Sequence, residues 1–254
     1  MITLFTTTNK ITTAVLNSLE SWDRLECVSE IFIFSDTMHN SDIVNHSNKA
    51  TVLPSNEQEK PPLLKQIFKT SLQNSNNDFL CYINSDILLL SDFCRAFADC
   101  KTKFKNFQMI GRRINWEDPG WVRFDHDVTD QQIIDTVQAG SHSPHPYSGV
   151  DYFCFNKEVY EEQIDDMPDF YIARRRFDHY LAYCPKRVGA EVVDCSNKIY
   201  CIHHDESTQV RESDWNSKAN FDKECNHNHI LYNNACMRDQ AYVNGIIDAR
   251  TCEL

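Results

Sequence analysis

Glycine is scarce in this chain, with six residues in 254. The segment after the first apolar run reads Thr6-Thr7-Thr8-Asn9-Lys10. It therefore lacks the glycine-rich loop with which many nucleotide enzymes cradle phosphate near a first strand. Positive charge is also short. A formal net charge of −12 and a pI near 5.2 argue against a nucleic-acid partner, because a phosphate-backbone binder needs a basic face. Any polyphosphate ligand must be met by a local site, with a cation to screen it. No apolar stretch approaches the roughly 20 residues that span a bilayer. The opening "MITLFTTTNK" lacks the basic start of a signal peptide, so a cytoplasmic location is the expectation. The 11 cysteines contain no CxxC pair and are expected to be reduced, mostly buried thiols.

What is present is alternation. Ile2 to Phe5 reads as a strand, and Val15, Leu16, Leu19, Trp22 and Leu25 have helical spacing. Ile31 to Phe34 is a second strand and Thr51-Val52-Leu53 a short third. Pro61-Pro62 opens a helix carrying Leu63, Leu64, Ile67, Phe68 and Leu72, since proline is tolerated in a first turn. A strand over 79–83, a helix near 91–102 and a strand over 107–110 follow. Strands apolar on both faces, alternating with helices, predict an α/β fold with a mixed, mainly parallel central sheet flanked by helices. From 112 to 148 the pattern dissolves into loop-like sequence, with one helix expected over 129–137 capped by Thr129 or Asp130. A strand at "VDYFCF", helices over 157–164 and 173–183, and strands at Val192-Val193 and 199–202 come next. The last fifty residues are polar and weakly patterned. One domain over 1–210, with 211–254 as a C-terminal appendage packed on it, is the expected organisation.

In parallel sheets ligands bind beyond the carboxyl ends of the strands. Three polar tips fall there: Thr6 to Thr8, Ser35-Asp36 and Asn84-Ser85-Asp86. A hard cation such as Mg²⁺ or Mn²⁺ takes one or two carboxylates and completes its shell with phosphate and water, which suits Asp86. The plainer reading is a turn whose Asn and Asp bond their own backbone. Asp178 follows Arg174-Arg175-Arg176 at an expected helix start, where guanidinium groups and the helix dipole would hold it ionised, as a general base requires. A capping or salt-bridged aspartate is the alternative. His203-His204-Asp205 closes a late strand; the two histidines face opposite ways if the strand continues, and either could point inward. Cys225, His227, His229 and Cys236 have zinc-like chemistry but no standard spacing.

With "INSD" on the fourth apparent strand, "SGVDYFCFNKEVY", "RRRFDHYLAYC" and "VVDCSNKIYCIHHDES" in order behind it, the chain resembles the GT-A glycosyltransferases. The resemblance implies a nucleotide-sugar half over about 1–111 and an acceptor half over about 112–210. It implies Mn²⁺ or Mg²⁺ at Asp86 with His203 or His204, and Asp178 as the base of an inverting transfer. Asp151 would touch the acceptor glycan, with Gly149 allowing close backbone approach. A nucleotide-sugar donor, a uridine diphosphate sugar first, would lie over Thr6, Thr7, Asp36, Asn84 and Ser85, with Lys65 or Arg112-Arg113 offsetting phosphate charge. One departure stands out: the first position of the family's DxD signature is Asn84, leaving Asp86 as its sole carboxylate. A nucleotidyltransferase and a non-catalytic nucleotide- or carbohydrate-binding protein are the rival readings.

Overall fold

The computed structural model describes residues 1–43, 45–55, 61–117, 119, 122–125, 127–205, 218–239, 241, 243 and 245–254. Its first half follows the alternation of the sequence. β1 (Ile2–Thr7), α1 (Thr13–Asp23), β2 (Val28–Phe34), α2 (Asn40–Ile43), β3 (Ala50–Leu53), α3 (Leu64–Asn74) and β4 (Phe79–Ile83) come in order. After them β5 (Ile87–Leu88), α4 (Ser91–Lys103), β6 (Phe107–Ile110), β7 (Ile114–Glu117), α5 (Asp130–Ala139) and β8 (His142–Pro144) lead to β9 (Tyr152–Asn156). The Thr12 side chain caps α1, and Thr129 with Gln132 forms a reciprocal capping box on α5, which resolves the choice between Thr129 and Asp130.

The last third contains α6 (Lys157–Glu161), α7 (Phe177–Tyr183), β10 (Glu191–Asp194), β11 (Ile202–Asp205), α8 (Lys218–Asp239), α9 (Ile246–Ala249) and β12 (Cys252–Glu253). Two expectations change here. The helix expected from 173 begins only at Phe177, because Ala173 and Arg176 adopt left-handed backbone angles, φ 58° and 84°. The late strand starts at Ile202 rather than Ile199. The end of the chain joins the main sheet. Thr251 accepts through its hydroxyl from the Val192 N–H, and β12 pairs with β10 as the outermost strand of the main sheet.

That sheet has eight strands in the order β12-β10-β6-β9-β4-β1-β2-β3, all parallel except β9, which runs against both neighbours. Each central strand divides its side chains between two cores. Tyr82, Phe153 and Phe155 face one core with α3, α7 and α8, while Cys81, Ile83, Tyr152 and Cys154 face the other with α1 and α4. Burial on both faces is why these strands read as unbroken apolar runs. A smaller sheet, β5-β11-β7-β8, lies beyond the carboxyl end of β4, and α1 holds it: Trp22 Nε1 donates to the Ile87 carbonyl at 2.8 Å.

The thiol expectation fails for one pair. Cys27 and Cys94, 5.5 Å apart at Cα, form a disulfide that ties α4 to the start of β2; spacing in the sequence could not show that two cysteines separated by 67 positions are brought together. The other nine cysteines are free, and seven of those are buried.

Candidate active site at the carboxyl ends of the central strands

Strand register builds the site. In the β4–β9 pair Ile83 lies opposite Tyr152, so the next residues outward, Asn84 and Asp151, meet just past the last rung. The Asn84 N–H donates to the Asp151 carbonyl at 3.0 Å, and Asn84 Nδ2 donates to Asp151 Oδ1 at 2.8 Å. Arg113 Nη1 donates to the same oxygen at 2.6 Å, while its Nε is held by Asn115 Oδ1 at 2.8 Å. Asp151 is buried, and its second oxygen, Oδ2, has no partner. A buried carboxylate oxygen left bare is a site for a donor such as a hydroxyl.

The small sheet delivers the second carboxylate. β11 runs antiparallel to β5 with His203 opposite Ile87, and the His204 N–H donates to the Asp86 carbonyl at 2.9 Å. This register turns the His203 ring onto Asp86, Nε2 to Oδ2 at 3.2 Å. Period-2 alternation sends His204 to the opposite face, fully buried, with its ring 4.9 Å from Trp116 and Nδ1 3.3 Å from Asn17 Nδ2. Of the two imidazole rings, that of His203 meets the Asp86 carboxylate, while that of His204 lies on the other face beside Trp116 and Asn17. Burial works to raise the Asp86 pKa, but the hydrogen bond and charge of His203 and the charge of Arg113 outweigh it, and the carboxyl lies below its ordinary value. Burial likewise works against a charged His203, yet Asp86 raises the imidazole above its usual value. The two form an ion pair in which the His203 ring is mostly covered and the Asp86 side chain is 39% exposed.

Asp178 stands in the first turn of α7, 26% exposed at the side chain, with Oδ1 accepting from the His179 N–H at 2.9 Å. The expected guanidinium partners are engaged elsewhere: Arg174 binds Glu224 at 2.6 Å, and Arg176 Nη1 donates to His179 Nδ1 at 2.9 Å. Burial dominates, and with the charge of Asp151 it raises the Asp178 pKa against the opposing pull of His179. So the sequence argument that arginines hold it ionised is corrected. The consequence favours proton transfer, because a carboxylate with a raised pKa is a stronger base wherever it remains ionised. The two left-handed residues just ahead of it, Ala173 and Arg176, each carry a side chain in a conformation that costs roughly 1–2 kcal/mol.

Tyr82 lies beneath these groups. Its hydroxyl bonds Thr7 and stays protonated through burial and the charges of Asp151, Asp86 and Asp178 together. His145 leans in from the loop before β9, 3.3 Å from Asn115 Nδ2. A Cβ on Gly149 would sit 2.3 Å from the His145 ring, so this glycine makes room for an imidazole rather than for an approaching ligand backbone. Burial and the Arg113 charge depress the His145 pKa. Tyr82, Asn115 and His145 escaped the sequence reading: Tyr82 sits in an apolar run, and β7, which presents Asn115, was not expected as a strand. Alternation along β4 is the one signal that could have set Tyr82 apart from Cys81 and Ile83.

Other expected residues are placed elsewhere. Thr6 is buried on the face opposite Thr7. Asp36 receives the Ser55 N–H at 2.9 Å and its hydroxyl, so its carboxylate ties β2 to the segment after β3. Beside it a cleft of 760 Å³ opens between Asp36, Thr37, His39, Val52 and Leu53; it contains none of Asp86, Asp151 or Asp178. Lys65 donates to the Asp165 carbonyl at 2.6 Å and joins none of the contacts above. Arg112 stacks over Tyr147 at 4.6 Å, leaving Arg113 as the arginine of the site. Ser85 lies between Asn84 and Asp86 in the turn.

Asp86 and His203 are the residues here that could hold a divalent cation. Asp86 Oδ1 and His203 Nδ1 are shielded from solvent without hydrogen-bond partners, and no third metal-ligating side chain joins them among the described residues. One carboxylate and one imidazole fit a cation that takes its remaining ligands from phosphate and water. The zinc-like residues of α8 do not converge: His227 bonds the Asp169 carbonyl and His229 bonds Asn233.

Comparison with solved structures decides the fold. Residues 1–349 of TarS from S. aureus superpose with a TM-score of 0.50 at 11% identity, over 92% of this chain and 73% of that one. TarS in complex with UDP-GlcNAc gives 0.50 at 13% identity, over 81% and 58%. The mannosyltransferase PcManGT from Pyrobaculum calidifontis, in complex with GDP-Man and Mn²⁺, gives 0.50 at 9% identity, over 80% and 56%. The chain has a GT-A fold. At these identities the likeness is one of fold, and this chain spans little more than half of the two ligand complexes. The sequence matches no protein-family model and no curated relative. Within the GT-A fold, Asn84-Ser85-Asp86 follows the fourth strand in chain order, and the groups gathered around Tyr82 lie at the strand ends. Among the described residues, no helix is long and apolar enough to cross a membrane.

Proposed function

We propose that this chain is a glycosyltransferase that moves a sugar from a nucleotide-diphosphate sugar, a uridine diphosphate sugar first, to a hydroxyl of a glycan or other acceptor. The observation that carries the reading is the meeting of Asp86–His203, Arg113–Asp151–Asn84 and Asp178 over Tyr82, at the ligand end of a GT-A sheet. Asp86 and His203 would hold Mn²⁺ or Mg²⁺ against the diphosphate, and the bound ion would neutralise charge on the leaving group. The base and ribose are assigned to the cleft beside Asp36, Thr37 and Val52, with Thr7 on the adjoining strand end.

The chain's own groups then divide the work. Arg113 supplies a second positive charge, already oriented by Asn115 and Asp151, as an acidic protein handling phosphate requires. Asp151 Oδ2 accepts a hydrogen bond from the acceptor and orients it. Asp178 takes the proton of the attacking hydroxyl while that oxygen bonds the anomeric carbon. The bond to the nucleoside diphosphate breaks with its electron pair, which inverts the configuration. The burial that raises Asp178 gives it base strength, and the 112–148 segment that brings Arg113 and His145 shields the donor from water.

Incubating the protein with a panel of nucleotide-sugars and Mn²⁺ or Mg²⁺, and measuring nucleoside diphosphate release, tests this. Slow hydrolysis of one donor is expected without acceptor. Failure to bind or hydrolyse any of them would remove the reading.

A further inference from the structure

α8 is the longest helix among the described residues, and the sequence offers little reason for it. Its buried stripe reads Asn228, Tyr232, Ala235 and Cys236, at helical spacing, with an asparagine where an apolar residue would serve packing better. Asn228 is wholly buried, so both ends of its amide need partners. It finds them on one residue: Oδ1 accepts from the Tyr171 N–H at 2.9 Å, and Nδ2 donates to the Tyr171 carbonyl at 2.8 Å. From the other side the start of α3 grips the same strip, with the Ile172 N–H donating to Pro62 at 2.9 Å and the Leu64 N–H to Phe170 at 2.8 Å.

Immediately beyond this gripped strip the backbone turns left-handed at Ala173 and again at Arg176, the only non-glycine residues with positive φ among those described. α8 holds that turn as well. Arg174, nearly inaccessible, donates from Nε to Glu224 at 2.6 Å and from Nη1 to the Ala173 carbonyl at 3.0 Å, with its guanidinium 4.9 Å over Phe221. Arg176 lies 5.6 Å over the Tyr232 ring and donates to His179 Nδ1. An arginine only donates and a carbonyl only accepts, so His179 must bear its proton on Nε2, which faces the Ser148 carbonyl at 3.3 Å. Asp178 is the residue between these fixed points.

We propose that α8 is a positioning clamp for Asp178: Asn228 and Glu224 hold the 171–176 strip in its strained turn and so set where the Asp178 carboxylate stands. Strain of this kind persists only where surrounding contacts over-determine it, and Phe221, Glu224, Asn228 and Tyr232, which meet the strip and its two arginines, all come from one helix. Neither residue touches the reacting groups; both act through the turn. The proposal rests on the reading of Asp178 as the base.

The test uses the full chain with Glu224→Gln, Asn228→Ala and the charge swap Arg174→Glu with Glu224→Arg. Three quantities are read: nucleotide-sugar affinity, kcat with its pH profile, and amide exchange over 171–180. Glu224→Gln is expected to keep donor affinity within about twofold, lower kcat roughly 10–100-fold as sub-ångström misplacement of a reacting group does, and displace the acid limb of the profile. Exchange should quicken over 171–180 and not in the central sheet, and the swap should recover part of the loss. Asn228→Ala should act in the same direction and more strongly; if it does not fold, Glu224→Gln alone decides. Quickened exchange with kcat and pH profile unchanged would overturn the clamp, as would loss of donor affinity in step with kcat. If the wild-type protein transfers no sugar while exchange responds as described, the grip of α8 stands and the reading of Asp178 falls.

Discussion

Asp86 and Asp178 flank the same buried tyrosine, yet their charge is handled in opposite ways. Asp86, in the turn after β4, is paired with His203 and lies within the field of Arg113, and its pKa is lowered. Asp178, at the start of α7, has the His179 ring beside it, Nε2 to Oδ2 at 4.0 Å, but burial with the charge of Asp151 outweighs that pull and raises it. Burial pushes both upward; the partner decides the sign. One carboxylate is thereby kept anionic, as the cation ligand proposed above must be, and the other is made basic.

The largest effect that would break this contrast is loss of the base. Asp178→Asn should lower transfer by roughly 10²–10⁴-fold in kcat while nucleotide-sugar affinity is kept, and the melting temperature at neutral pH should be unchanged or higher, since a carboxylate with a raised pKa is unfavourable when charged. Retained kcat would remove Asp178 from the chemistry. Asp86→Asn should cost metal-dependent turnover at least the ~10–100-fold that loss of an outer ligand partner costs, measured as a Mn²⁺ titration of donor hydrolysis. A wild-type titration curve would move the cation elsewhere.

The histidines sharpen the comparison at smaller scale. His203→Ala should weaken the response to Mn²⁺ more than it weakens folding. His204→Ala should destabilise the fold by about 1–3 kcal/mol in denaturant melts, through lost packing on Trp116 and the lost contact to Asn17 Nδ2, and leave the Mn²⁺ response alone. The reverse pattern would mean the β5–β11 register is misassigned.

The smallest effects are those of pH on stability. Asp86 contributes stability above the ordinary carboxylate value and loses it as pH falls through its lowered pKa. His203 contributes below the ordinary imidazole value and loses it as pH rises through its raised pKa. The pair therefore stabilises most between those ordinary values, and melting curves of wild type and Asp86→Asn should diverge most in that window. The acid limb of kcat, in contrast, should lie above the usual aspartate range because Asp178 is raised. A limb at the ordinary value would show that the base is not buried.

Legibility follows the chain's own change of style. Through Ile110 most strands and helices could be placed from periodicity, because the central strands are buried on both faces and the longer helices on one; α2 and β5 are too short to show a period. Beyond it, β7 and β8 are short strands in a loop-like stretch, and α8 hides its buried face because Asn228 occupies a core position. Asp86, Asp178 and Asp151 stood out as polar residues at element ends. Arg113 and His203 were named only beside a neighbour, since adjacent residues differ by the face they take, and face follows register.

By itself the sequence determined the α/β alternation, the polar strand tips and the lone carboxylate of Asn84-Ser85-Asp86, all local properties of residue order. Only the tertiary structure decided which histidine meets Asp86, that Arg113 rather than Arg112 or Lys65 enters the site, that Cys27 reaches Cys94, and that the Asp178 pKa is raised rather than lowered. Those outcomes depend on pairings between segments tens of residues apart. Strand register, burial and partner charge are fixed only once such segments are packed together.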